Sequence, residues 1–343
     1  MRRKTLKDVA QLAGVSYVTV SLALRSHPRI SQETRTRVLT IAKRIGYRPD
    51  PVLSALMVYR HGNRPSGNQE TLAWINVWPK PNKLKEAYGP YWDGALERCN
   101  ELGYNLQELR LVDFGMSPRR LSRALRTRNI HGLLIPPQYH SRAHLNLEWE
   151  HFSAVAFGYT LARPKLHLVS NAQFRSAVIA IRALRKLGHR RIGMSLEHYL
   201  NERTDHNYVG GYLTEQLRSK SADQIPLLVL DDESSKTRRK LLQWYEKYQP
   251  DAILTGGWFT RECLESAGYR PARDFSLSML YLRNSDDSGI DQNECTTGRT
   301  AVDILVGMLH RSERGIPPIP LRTLVEGQWV EGKTVRRLIP VRS

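Results

Sequence analysis

Cysteine is scarce in this sequence: three in 343 residues, Cys99, Cys263 and Cys295, far apart in the chain. An odd, scattered set makes no disulfide framework and no metal spacing, and it suits a reducing compartment. The eleven histidines fall in no H-E-x-x-H, and neither C-x-x-C nor G-x-S-x-G occurs. The commonest zinc-site and serine-hydrolase signatures are therefore missing, and no enzyme, metal or cofactor is expected. His198 and His206, with Glu197, Glu202 and Asp205 nearby, read as surface scatter. No apolar run approaches the ~18 residues of a membrane-spanning helix. MRRKTLKDVAQ is basic but has no apolar stretch, so it does not read as a signal peptide, and a cytoplasmic location without a membrane partner is expected. Acidic residues are also in deficit, 33 against 52 Lys or Arg, which leaves the chain at +19.

That surplus is unevenly placed. Residues 1–60 hold twelve Lys or Arg and three Asp or Glu, a net +9, whereas residues 61–343 hold forty and thirty, a net +10. Such density in a small unit is what neutralising phosphates requires. Within it, Leu6, Val9, Ala10 and Ala13 recur at helical spacing, behind a Thr5-x-x-Asp8 start signal. Gly14 supplies the turn and Ser16 caps a second helix with Val20 and Leu24 inward. Val38, Ile41, Ala42 and Ile45 form a third stripe that Gly46 ends. A small Ala10, a turn Gly14 and an apolar Val20 are the spacing of a helix-turn-helix, although a plain three-helix bundle shares the periodicity.

LKDVAQLAGVSYVTVSLAL followed by RISQETRTRVLTIAKRIGYRPD resembles the head of the LacI/GalR family of bacterial transcription regulators, without a gap through Leu56. The resemblance implies a helix-turn-helix headpiece (1–49), a hinge helix (50–60), a linker (61–70) and a bilobed periplasmic-binding-protein-like effector and dimerisation domain (71–343). It places Tyr17, Val18 and Leu22 at the base-reading positions. Many relatives hold Arg where this chain has Leu22, which offers only an apolar surface, for instance to a thymine methyl. Ser16, Thr19 and Ser21 read as phosphate contacts and caps, and Arg25 and Arg29, with Arg35 and Arg37, as phosphate clamps. Asp50-Pro51 opens a short element, PVLSALMVYR, barely two turns long and too short to hold alone in water. By the resemblance it orders on the operator, with Leu53 and Leu56 at the DNA and Leu56 as the minor-groove wedge. The plainer reading packs the same residues between domains.

From Leu72 short apolar runs alternate with helical segments, as in LAWINVW, GLLIPP, SAVAF, RRIGMSL and DAILT, and helices close at Gly103, Gly188 and Gly268. This α/β pattern predicts parallel sheets covered on both faces, in two lobes, with ligands at the carboxyl ends of the strands. Gly327 to Thr334 satisfies G-x-x-x-x-G-K-[ST] literally, but LVEGQWVEG reads as strand-turn-strand with no helix to follow, so a phosphate loop is rejected.

Sugar- and purine-binding members carry Arg, Asn-Asp and Asp at three pocket positions. The corresponding positions here hold Tyr208, Gly257-Trp258 and Tyr281 or Leu282. Tyr208, Trp258 and Tyr281, grouped with Trp78, predict an aromatic cleft that grips a sugar or another flat small molecule by stacking, with few polar contacts. The competing reading is a collapsed cleft with no effector. The chain is read as a repressor that binds a pseudo-palindromic double-stranded DNA operator as a homodimer; the rival is a bilobed receptor or enzyme acting without DNA. If Leu56 is the wedge, Leu56→Ala should weaken specific binding far more than non-specific binding and reduce DNA bending in a circular-permutation assay. Unchanged bending would return Leu56 to interdomain packing.

Overall fold

A computed structural model describes residues 5–24, 30–47 and 70–338. Arg25, Arg29, Leu53, Leu56, the hinge helix and all but Glu70 of the expected linker lie outside the described residues. The head consists of α1 (Leu6–Ala13), α2 (Tyr17–Leu24) and α3 (Gln32–Arg44). Thr5 and Asp8 form the capping box read from the sequence, the Thr5 amide donating to Asp8 Oδ2 at 2.6 Å. Gly14 is left-handed at φ +64°, so the chain turns where a side chain would be strained. Val9, Val20, Ala23 and Val38 are wholly buried and join the three helices, with Ile41, Ile45 and Leu24 packed around them.

Two six-stranded sheets and one short strand pair build the body. The first lobe contains β1 (Thr71–Asn76), α4 (Pro81–Glu101), β2 (Asn105–Arg110), α5 (Pro118–Thr127), β3 (Gly132–Ile135), β4 (Ala143–His144), β5 (Ser153–Phe157), β6 (Leu161–Arg163) and β7 (His167–Asn171). The second contains α6 (Gln173–Lys186), β8 (Ile192–Glu197), α7 (His198–Arg203), α8 (Asn207–Gln216), β9 (Leu228–Leu230), α9 (Ser235–Tyr248), β10 (Ala252–Thr255), α10 (Phe259–Ser266), β11 (Ser276–Met279) and β12 (Ser288–Asp291). α11 (Glu294–Arg311) then returns to the first lobe, followed by β13 (Arg322–Val325) and β14 (Gln328–Val330). The sheet orders are β13-β7-β5-β3-β1-β2 and β14-β12-β11-β10-β8-β9, and β4 pairs with β6. Central runs such as GLLI, SAVAF and AILT are buried at every position, because helices cover both faces of each sheet. Each lobe accordingly has two apolar cores, one on either side of its sheet.

The strand-turn-strand reading of LVEGQWVEG holds, but its two strands join different sheets. β13 lies parallel to β7 in the first sheet, and β14 lies antiparallel to β12 in the second. The turn is therefore a crossing between lobes and not a hairpin. Thr334 of the phosphate-loop look-alike is buried, its hydroxyl donating to the Leu277 carbonyl at 2.7 Å, and no helix follows β14 among the described residues.

α4 begins at Pro81 and breaks its helical geometry at Tyr88 (φ −136°, ψ 28°), two residues before Pro90. A proline inside a helix removes one backbone donor and crowds the preceding turn. Further along, α4 meets α11 backbone to backbone. A Cβ on Gly94 would overlap the Cys295 carbonyl, and one on Gly298 would overlap the Tyr91 carbonyl. Gly298→Ala should therefore cost about 1–3 kcal/mol through overpacking. Gly210→Ala in α8, which meets only ordinary contacts with Phe174, is the matched control. Thermal unfolding of both variants checks this; equal melting temperatures would refute the close contact.

Candidate functional site

The head offers an exposed edge of α2. Ser16 Oγ accepts from the Thr19 amide at 3.0 Å and lies 2.8 Å from Thr19 Oγ1, so both hydroxyls are engaged in the cap. Tyr17, at the first turn, is 47% exposed and free of the head's core. Val18, Ser21 and Leu22 belong to the same helix, but their side chains are not described. Opposite the core, α3 carries Arg37, Lys43 and Arg44 on its exposed surface.

Between the lobes lies a cavity of about 610 Å³ at the carboxyl ends of the parallel strands. All four rings expected there line it. Trp78 follows β1, Tyr208 is the second residue of α8, Trp258 immediately precedes α10, and Tyr281 follows β11. Trp78 donates its Nε1 proton to the Pro137 carbonyl at 2.8 Å and packs edge-on against Tyr139, with ring centres 5.3 Å apart. Tyr208 is buried, and its hydroxyl accepts from Gln292 Nε2. Burial pushes the phenols of Tyr208 and Tyr281 well above their ordinary pKa, so both are neutral donors. Trp258 is 51% exposed and lines the cavity.

Further rings come from elements the sequence did not mark: Tyr88 and Tyr91 from the irregular stretch of α4, Tyr139 and Tyr159 from strand-end loops, and Tyr199 from α7. Pro90, just before Tyr91, is the one signal that could have found the first pair.

Polar side chains share the wall with the rings. Arg203, Arg283, Glu294, Asn171, Gln173 and Gln292 also line the cavity. They were missed because they enter at the crossings between lobes, at the end of α7 and, for Arg283, just after the compared Tyr281 and Leu282. Arg283 donates to Glu294 at 2.9 Å and to the Ala87 carbonyl at 2.9 Å. Arg203 donates to the Tyr139 carbonyl and the Tyr88 hydroxyl, each at 2.9 Å. Both arginines thus tie the second lobe to the first.

Gly257 also acquires a reason. A Cβ there would overlap Glu197 Oε1, so the buried Glu197 side chain fills the space that a longer residue at 257 would take. No group of His, Cys, Asp or Glu is placed to hold a metal ion among the described residues, and no helix there is long and apolar enough to cross a membrane.

A three-helix head with a tight turn and two lobes that enclose a cleft at their strand ends define the architecture. Residues 5–50 match the family model of the bacterial regulatory proteins of the lacI family. The sucrose operon repressor of Klebsiella pneumoniae is 51% identical over 51 residues, 14% of this chain and 15% of that protein. The stretches shared with such curated relatives span only 13% to 36% of those proteins' own lengths. Over the whole fold, the transcriptional regulator CelR in complex with cellobiose superposes with a TM-score of 0.57 at 19% identity, covering 97% of this chain and 100% of that one. The lac repressor dimer bound to operator and an anti-inducer gives 0.52 at 18% identity, covering 97% and 99%.

Glu197, at the end of β8, is 7% exposed and its Oε2 has no partner. Burial raises its pKa. Between the ordinary glutamate range and that raised value the folded state binds more protons than the unfolded one, so stability falls as pH rises through this window. Glu197→Gln should flatten that fall and raise the melting temperature near neutral pH. Parallel melting-temperature profiles for the two proteins would contradict the assignment.

Proposed function

We propose that the chain is a cytoplasmic DNA-binding transcription regulator that represses by occupying a pseudo-palindromic operator as a homodimer. The observation that carries this reading is the pairing of a dense basic helix-turn-helix with a bilobed body whose cleft opens at the strand ends. One head reaches too few base pairs for useful specificity, so two-fold pairing of heads and half-sites is required. Tyr17, Val18 and Leu22 read base edges, while Arg25 and Arg29 with the α3 cations neutralise phosphates. Leu53 and Leu56 belong to the minor-groove contact at the centre of the site.

The cleft takes a small ring-shaped effector, with a sugar as the class its stacked rings suit. The ligand couples to DNA through the angle between the lobes. It can shift that angle only by binding one arrangement better than the other. Arg203 and Arg283 are the groups whose partners change when the lobes part. The hinge elements of a dimer, carried on the first lobes, then move together or apart, and their ability to order on the operator changes with them.

The test is deletion of residues 1–60. The body should fold and remain dimeric by light scattering, and operator DNA should no longer shift in a gel. Binding by the intact chain should fall steeply between 50 and 200 mM salt as counterions released from phosphates oppose it, on the order of 10³-fold if about six phosphates are neutralised. A headless body that shifts operator with full affinity would end this reading.

A further inference from the structure

The cleft carries one cation with no counter-charge. Arg283 is matched by Glu294 at 2.9 Å. Arg203 is different: its two acceptors, the Tyr139 carbonyl and the Tyr88 hydroxyl, are neutral, and no carboxylate pairs with it among the described residues. The adjacent Glu202 is committed to Arg142 at 3.2 Å and His206 at 3.4 Å. A guanidinium has five N–H donors in a planar fork, so three remain after these two bonds, on a side chain that lines the cavity. In a partly water-excluded aromatic cavity, an unbalanced cation favours an anion strongly.

The interior adds two unmet groups. Gln173 Oε1 has no hydrogen-bond partner, and Asn171 Nδ2 lies near the Tyr208 hydroxyl without closing a hydrogen bond to it. Both residues are more than nine-tenths buried and both line the cavity. A buried acceptor beside a buried donor is the complement of ligand hydroxyls, which can serve both. Flat rings supply the remaining wall.

We infer that the cleft binds a hydroxylated ring compound bearing one anionic group, with the anion on the Arg203 fork and the hydroxyls on Asn171 and Gln173. This rests on the cleft being an effector site. The shared chemistry is a single anion on a ring, and a carboxylate or a phosphate could supply it.

The intact chain is titrated by tryptophan fluorescence and thermal shift with glucose, galactose and mannose. Each is compared with its matched uronate and its matched 6-phosphate. At least one anionic member should bind about tenfold or more tightly than its neutral parent, and the arm that wins, uronate or phosphate, names the anion. In Arg203→Met that advantage should shrink to within about twofold, and Arg203→Lys, which keeps charge without the fork, should fall between. Arg203→Lys also keeps the test open should Arg203→Met fail to fold. A neutral hexose that binds as tightly as its anionic partners would overturn the inference and leave the effector reading standing. So would an anionic advantage that survives both substitutions. Absence of any response across the panel would overturn both.

Discussion

The close approach of α4 and α11 fixes more of the molecule than any other contact. Gly94 sits against the Cys295 backbone and Gly298 against Tyr91 and Ala95, so the two helices touch without intervening side chains. Helices usually pack with axes 8–10 Å apart, the spacing set by the side chains between them, and glycines permit the lower end. The consequence reaches the cleft. Tyr88 and Tyr91 stand one to two turns before Gly94, and Glu294 opens α11 one turn before Gly298, so a single helix pair sets the spacing of three cavity groups. Because α11 is also the segment that returns from the second lobe, the same contact anchors one of the crossings between lobes.

Much of the head was legible in the sequence because its determinants are local. A Thr-x-x-Asp box, a left-handed glycine and three apolar stripes each act within four residues, and Thr5, Gly14, Val20 and Val38 stand where those signals put them. The alternating body was legible for a similar reason, since strand runs buried on both faces are continuous and apolar. What could not be read was long-range. β13 and β14 are adjacent in sequence yet join different sheets, and nothing in LVEGQWVEG states that its turn crosses between lobes. The rings of the cleft were half legible. Trp78, Tyr208, Trp258 and Tyr281 follow strands or begin helices, whereas Tyr88 and Tyr91 depend on a break within α4 that only Pro90 hints at.

The lobes have separate apolar cores and meet across the cleft through polar groups. That division has a thermodynamic meaning. Separating two buried apolar faces would cost roughly 25 cal/mol for each Å² exposed. Exchanging a guanidinium's protein acceptor for water or ligand leaves the number of hydrogen bonds nearly unchanged. Lobes held apart in their cores and joined by exchangeable polar links can therefore change their mutual angle at small cost, while each remains internally rigid.

Both linking arginines converge on one irregular turn. Arg283 reaches the Ala87 carbonyl and Arg203 reaches the Tyr88 hydroxyl, next to the residue where α4 leaves helical geometry. Tyr88 also leans edge-on toward Trp78, with ring centres 6.3 Å apart, and Trp78 stands on the loop after β1. A regular helix would commit its backbone carbonyls to its own amides, and only an irregular turn leaves room for a carbonyl to accept from a second lobe. The departure from helical form at Tyr88 thus gives one place where ring packing, the interlobe links and the path of α4 meet. This turn joins the wall of the cleft to the links between the lobes.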